Sequence, residues 1–315
     1  VIEPQFAEAQ PFSDGVAVVV CQGDFVQAVG SPRMPDGSIG PNIEGKRAYS
    51  AIDTTGKVLF TLPDGYDLYD FEEGIGICWD NGDKQHYITE KGQILSIGDA
   101  YTDLSNFSEG IATVRIMYNR DKSDYMEGAI DKTGRVVIPV KYQEVAPFRE
   151  GMARVWPMNS TKSGYMNNSG QWVIKPIYTV TQRFFSEGVA AVATKTKNKT
   201  TWKFVDKTGT TVLTPPTGYE VYESYGSDDE GFREGICMVY SWGSDGYIDG
   251  YQYMDRSGKL ITNEKFGLGS GGCSNGLIYT TAKNSTLGDY AYKYIDKQGR
   301  VVFEGSRIIK KDQTN

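Results

Sequence analysis

Two short signatures alternate along almost the whole of this 315-residue chain, and they constrain its fold more than any other feature. The first is an aromatic residue, a polar residue, an acid and a glycine. It reads Phe12-Ser13-Asp14-Gly15, Phe71-Glu72-Glu73-Gly74, Phe107-Ser108-Glu109-Gly110, Phe148-Arg149-Glu150-Gly151, Phe185-Ser186-Glu187-Gly188 and Phe232-Arg233-Glu234-Gly235, with a degenerate seventh at Cys273-Ser274-Asn275-Gly276. The second is an apolar pair, a polar residue, and a glycine three positions on. It recurs at Asp53…Gly56, Thr89…Gly92, Asp131…Gly134, Asn167…Gly170, Asp206…Gly209, Asp255…Gly258 and Asp296…Gly299. Self-similarity at a period of about 40 residues means copies of one supersecondary unit stacked or closed into a ring.

The second signature has the chemistry of a hairpin. An Asp or Asn side chain at the start of a turn accepts a hydrogen bond from the backbone two residues on. The glycine takes the left-handed conformation that closes the turn. The flanks are β-branched and aromatic, with no sustained helical period, so each unit is predicted to be a β-meander. Strand A follows the first glycine, strand B ends at the Asp, and strand C follows the second glycine. A tail such as Tyr142–Pro147 forms a fourth strand or a loop before the next unit.

These residues resemble the WG (KWG) repeat family of bacterial proteins. The best matches run from Phe107 to Phe148, with Ala129-Ile130-Asp131, and from Phe148 to Phe185, with Val173-Ile174-Lys175-Pro176-Ile177-Tyr178. Gly128 and Gly164 keep the glycine of the name-giving dipeptide without its tryptophan. The resemblance implies a non-enzymatic β-repeat scaffold that is often exported. The fold expected is all-β, a single domain over residues 1–315 of about seven units, closed as a β-propeller-like ring. An open β-solenoid is the alternative. Val1-Ile2-Glu3-Pro4-Gln5-Phe6 matches Val173–Tyr178 in kind, so the chain starts part-way through a unit. The Val1–Phe12 segment is therefore expected to pair with the last unit near Val301-Val302-Phe303.

Composition narrows the function. A net charge of −7 and a pI near 5.0 argue against nucleic-acid binding, which rests on basic patches. No apolar run reaches the 18 or so residues of a membrane span. Val1 in place of Met is read as a processed or truncated start, and with the family it suggests an extracytoplasmic, monomeric protein. Cys21, Cys78, Cys237 and Cys273 are too few for a disulfide framework and are expected as buried thiols. The single histidine, His86, is expected to be an ordinary strand residue. The acids of both signatures are expected to serve their turns rather than form a ring of cation ligands. Ser227-Asp228-Asp229-Glu230 and Ser244-Asp245-Gly246 fit no calcium loop, and Gly267–Gly272 precedes no helix, so neither a metal nor a cofactor is expected.

The candidate ligand-binding residues are aromatic. Trp79, Trp156, Trp202 and Trp242 lie between the first glycine of a unit and the end of its B strand, with Tyr118 and Tyr247 among the tyrosines beside them. Turns that occupy one place in every unit mark a binding face, where aromatic rings stack on sugars or anchor a protein. Packing between sheets is the competing role. The longest such insertion, Cys21–Lys46, is rich in Pro and Gly and reads as an irregular loop. The expected function is non-catalytic binding of a protein or glycan. A carbohydrate-active enzyme and a structural spacer are the alternatives.

Overall fold

A computed structural model describes residues 6–21, 48–63, 65–119, 124–197, 199–222, 231–267, 269, 272–281 and 289–308. The Cys21–Lys46 insertion beyond Cys21, the acidic run Ser227–Glu230, and Leu268, Ser270 and Gly271 lie outside the described residues. What is described is all-β apart from one 3₁₀ turn, Ser96–Gly98. The chain divides into two compact units, Val1–Pro147 and Phe148–Asn315.

The first unit holds three four-stranded meanders, each antiparallel and in sequence order. They are β1 (Phe6–Ala9), β2 (Val16–Cys21), β3 (Tyr49–Asp53) and β4 (Val58–Thr61); β5 (Asp67–Glu72), β6 (Ile75–Trp79), β7 (Gln85–Thr89) and β8 (Ile94–Leu95); and β9 (Asp103–Ser108), β10 (Ile111–Asn119), β11 (Asp124–Asp131) and β12 (Val136–Val145). The second unit continues with β13 (Met152–Pro157), β14 (Ser163–Asn167) and β15 (Trp172–Tyr178), then β16 (Val180–Thr181), β17 (Val189–Lys195), β18 (Thr200–Asp206) and β19 (Thr211–Leu213). It ends with β20 (Tyr219–Val221), β21 (Ile236–Trp242) and β22 (Ile248–Asp255), then β23 (Leu277–Thr281), β24 (Asp289–Asp296) and β25 (Val301–Ile308).

Strands A and B appear where the signatures place them, and so does strand C except after Gly258, where Leu260 makes only an isolated bridge to Met254; the tail residues Tyr142–Val145 are the end of β12, with Tyr142 opposite Glu127 of β11. Four other tails are strands of the sheet that follows. In β5, β9, β16 and β20 the tail pairs with the A strand of the next meander. The N-terminal segment obeys the same rule from Phe6 on, which corrects the expectation for it there; Val1–Gln5 lie outside the described residues. Phe6–Ala9 is the outer strand of the first sheet, where Phe6, Glu8 and Ala9 face Cys21, Val20 and Val19.

The continuous apolar A strands follow from burial on both sides, which a short apolar run bounded by turns permits. Val16 and Val18 join Ala51, Leu68, Phe71, Cys78 and Ile88 in one core, while Ala17 and Val19 join Ile52 and Phe6 in another. In the second unit Cys237 and Val239 of β21 pack with Val189, Ala191 and Phe204, and Ile236 and Met238 pack with Tyr253, Phe266 and Ile278. The phenylalanine of the first signature fills the space between consecutive sheets: Phe107 meets Tyr87 at 5.0 Å, Phe185 meets Tyr165 at 4.9 Å and Phe232 meets Phe204 at 5.0 Å. Phe12 is 44% exposed.

Candidate functional site

The acids of the first signature sit in tight turns. Asp14, Glu73, Glu109, Glu150, Glu187, Glu234 and Asn275 all have φ between 49° and 56°, and the glycine after each also has positive φ. Two successive left-handed residues make the two-residue hairpin turn that joins strands of native twist. Ser13 and Val16, Ser186 and Val189, and Arg233 and Ile236 exchange both backbone hydrogen bonds across it. The left-handed region costs a non-glycine residue on the order of 1 kcal/mol. The carboxylate supplies the compensation, because it reaches the next meander.

Glu73 accepts from the Gly110 N–H at 2.8 Å and pairs with Lys132 Nζ at 3.1 Å. Glu150 accepts from Gly188 N–H at 2.8 Å and pairs with Lys207 at 3.2 Å. Glu187 accepts from Gly235 N–H at 3.1 Å. Glu234 accepts from Asn275 and Gly276 N–H at 2.6 and 2.9 Å and pairs with Lys297 at 3.0 Å. Each lysine directly follows the hairpin Asp of its meander, at Asp131, Asp206 and Asp296. That Asp caps its own turn; Asp131 Oδ1, for example, accepts from the Thr133 and Arg135 N–H groups at 3.0 and 3.1 Å. Both acid series are therefore structural, one closing turns and the other joining sheets.

Lys297, with the Gly276 N–H next in weight, pushes Glu234 from the usual 4.5 down to about 2. A folded-state pKa below the unfolded one stabilises above about pH 4.5 and is lost as pH falls toward 2. Melting of the wild type and Glu234→Gln across pH 2–7 is therefore expected to show a gap in Tm at pH 7 that closes toward pH 2. A gap of constant size would refute the joint.

His86, on β7, lies 3.0 Å from Asp80 Oδ2 through Nε2 and 3.4 Å from Asp99 Oδ1 through Nδ1. Its contact, with the Lys84 and Gly82 N–H groups, holds Asp80 down at about 2. The imidazole closes the turn between β6 and β7. Cys78, Cys237 and Cys273 are buried free thiols, and burial pushes Cys78 up to about 11 and Cys237 to about 12. Among the described residues no group of three or more His, Cys, Asp or Glu side chains could hold a metal ion, and no helix is long and apolar enough to cross a membrane.

The aromatic candidates separate by environment. In the first unit Trp79 is half-buried at the end of β6, its ring 6.4 Å from that of Tyr69, and Tyr118 on β10 is exposed. In the second unit Trp156 is half-buried and its Nε1–H donates to the Ser160 carbonyl at 2.7 Å. Trp202 is only 8% exposed and packs with Phe204, Val221 and Val239, the role of a residue between sheets. Trp242 and Tyr247 are 52% and 74% exposed.

One residue that no spacing marks brings the second-unit aromatics together. Glu220, on β20, stands directly across from Tyr240 on β21. Its Oε1 accepts from Trp242 Nε1 at 3.0 Å, and its Oε2 accepts from Trp202 Nε1 at 3.2 Å and Tyr240 Oη at 3.1 Å. The Tyr240 and Trp242 rings are 5.5 Å apart at 78°, an edge-to-face pair. A register shift between Ser241 and Trp242 turns the indole outward. Beyond it, the turn to β22 is pinned by Gly243 N–H to the Tyr247 carbonyl at 2.7 Å and by Tyr247 N–H to Asp245 Oδ1 at 3.0 Å. The result is an exposed indole held by its only polar atom, with an exposed phenol on a fixed turn beside it. Sequence reasoning missed Glu220 because it is one acid among 40 and lies in an inter-unit tail.

Comparison with known proteins follows the repeat. The chain is similar to a computationally designed protein, Ika8, at 14% identity and TM-score 0.40, covering 96% of this chain and 86% of that one. It is similar to a eukaryotic initiation factor at 11% identity and TM-score 0.48, covering 96% and 78%. It is also similar to BamB from Moraxella catarrhalis at 10% identity and TM-score 0.30, covering 76% and 79%. No curated protein matches the chain at a significant level. The family model of the WG-containing repeat matches residues 1–23, 128–155 and 164–195 of this chain.

Proposed function

We propose that the chain is a non-catalytic repeat scaffold that binds a protein or glycan partner through exposed aromatic residues, acting as a monomer outside the cytoplasm of a bacterium. The observation that carries this reading is the pairing of an exposed Trp242 and Tyr247 with a fixed frame, Glu220 and the pinned turn after β21. Large aromatics on rigid supports bind at low entropic cost. Their truncation at an interface typically costs about 2 kcal/mol or more. Trp79, Trp156 and Tyr118 extend the same role to other meanders, whereas Trp202 supports the frame.

The test compares Trp242→Ala and Trp202→Ala in capture from the native host's lysate and on a glycan array. Trp242→Ala is expected to keep the wild-type Tm and lose most of the captured partner. Trp202→Ala is expected to lower stability by about 3–5 kcal/mol. Undiminished capture by Trp242→Ala would overturn the aromatic reading. Hydrolysis of mixed glycans by the wild type would overturn the non-catalytic one. We also propose that the seven units close into a propeller-like ring, supported by their number and common build. A solution-scattering profile of an extended particle would overturn that.

A further inference from the structure

We infer that the face built on Glu220 binds an uncharged oligosaccharide, with one pyranose ring stacked on the Trp242 indole and a hydroxyl donated to Glu220; this rests on the binding role proposed above. Indole has a single donor and no acceptor, and here Glu220 consumes that donor. The half of the ring left in solvent is therefore a flat apolar face with a fixed orientation. The electron-rich face of an aromatic ring attracts groups carrying partial positive charge. The C–H face of a pyranose is such a group, and it is flat and wide enough to cover an indole. A peptide would have to supply a side chain with the same shape. Tyr240 meets the indole edge to face, with ring centroids 5.5 Å apart.

The polar groups beside the platform fit hydroxyls. An ionised carboxylate has about four lone-pair sites. Among the described residues the Glu220 oxygens receive Trp202, Tyr240 and Trp242, which leaves one of these sites for an incoming O–H. The exposed Tyr247 phenol both donates and accepts. Charge decides among sugars. Glu220 and the exposed Asp245 are acidic, and the nearby Lys265 is paired with Asp249. Uronic or sulfated sugars would meet the negative charge of Glu220 and Asp245, so the ligand class is a neutral chain.

The inference is tested by titrating the full chain with cellohexaose, laminarihexaose, xylohexaose, maltohexaose and N-acetylchitohexaose, with polygalacturonate and heparin as anionic counterparts, by calorimetry and tryptophan fluorescence. At least one neutral hexasaccharide is expected to bind and shift the emission, and neither polyanion to bind. Trp242→Ala is expected to weaken binding by tenfold or more. Trp242→Phe, which keeps a flat ring, should recover part of it. Glu220→Gln should weaken it by at least fivefold, and Leu59→Ala, at an exposed position of β4 in the first unit, should change nothing. Circular dichroism checks that each variant is folded. Failure of all five neutral sugars to bind would overturn the glycan inference. It would leave the wider binding role standing if Trp242→Ala still lost a protein captured from lysate, and both would fall if that capture were unchanged.

Discussion

Phe185→Ala is expected to destabilise the second unit by about 3–5 kcal/mol, the range for emptying a buried aromatic site. Phe185 is fully buried among Met152, Tyr165, Ile174, Tyr178, Ala190 and Val192, and its ring meets that of Tyr165 edge to face at 4.9 Å and 76°. Neighbouring side chains cannot collapse into the gap, because Tyr165 is tethered from its far end. Its hydroxyl donates to the Gln182 carbonyl at 2.6 Å. Tyr165→Phe should itself cost about 1–3 kcal/mol by leaving that buried carbonyl without its donor. Tyr87 and Tyr253 make the same bond, to Ser105 and Tyr279 carbonyls. The effect is therefore a property of the joint between successive sheets. Equilibrium urea unfolding measures both variants, and a loss under 1 kcal/mol for Phe185→Ala would show that the interface repacks.

Gly164→Ala is expected to cost about 3 kcal/mol, at the upper end of overpacking penalties. The glycine faces a bulge. Ser163 pairs with Tyr178 and Tyr165 with Ile174, so β15 spends three residues, Lys175, Pro176 and Ile177, where β14 spends one. The bulged backbone folds over Gly164. A Cβ there would collide with the Ile174 carbonyl oxygen and lie 2.7 Å from the Lys175 carbonyl carbon, and backbone cannot rotate away. Gly128 repeats the arrangement under Ile138 and Val140. Gly188 is the informative contrast. Its φ is +81° but nothing lies within 4 Å of a notional Cβ, so Gly188→Ala should cost only the left-handed penalty, about 1 kcal/mol. Urea midpoints for the two variants give the order directly, and the reverse order would refute the crowding account.

The glycine at these positions was visible in the sequence, but its reason was not. The spacing Asp131…Gly134 exposes a hairpin because both roles, side-chain acceptor and positive φ, are local and leave fixed residue types. The sequence leaves the tails open between strand and loop, because pairing across a turn leaves no mark that distinguishes the sheet before from the sheet after. Glu73 and Glu234 read as turn residues, correctly, while their reach to Lys132 and Lys297 depends on two sheets being adjacent. The tryptophans show the same limit. Trp202 lies across from Ala193, whose small side chain leaves room to bury an indole, while a one-residue register shift turns Trp242 to solvent. Both occur in similar apolar strands, and register is a property of pairs.

The Glu-to-Gly and Glu-to-Lys joints have a consequence for how such a chain can diversify. Val16 lies opposite Asp53, Val189 opposite Asp206 and Leu277 opposite Asp296, so in each sheet the acid-glycine turn and the Asp hairpin share one end. The A–B connections leave from the other end. Lengthening such a loop adds only a slowly growing closure entropy and touches none of the contacts that couple one meander to the next. Scaffold and variable surface are thus decoupled within every module: one end conserves the assembly's geometry while the other is free to acquire insertions, new aromatics or grafted recognition loops independently of its neighbours.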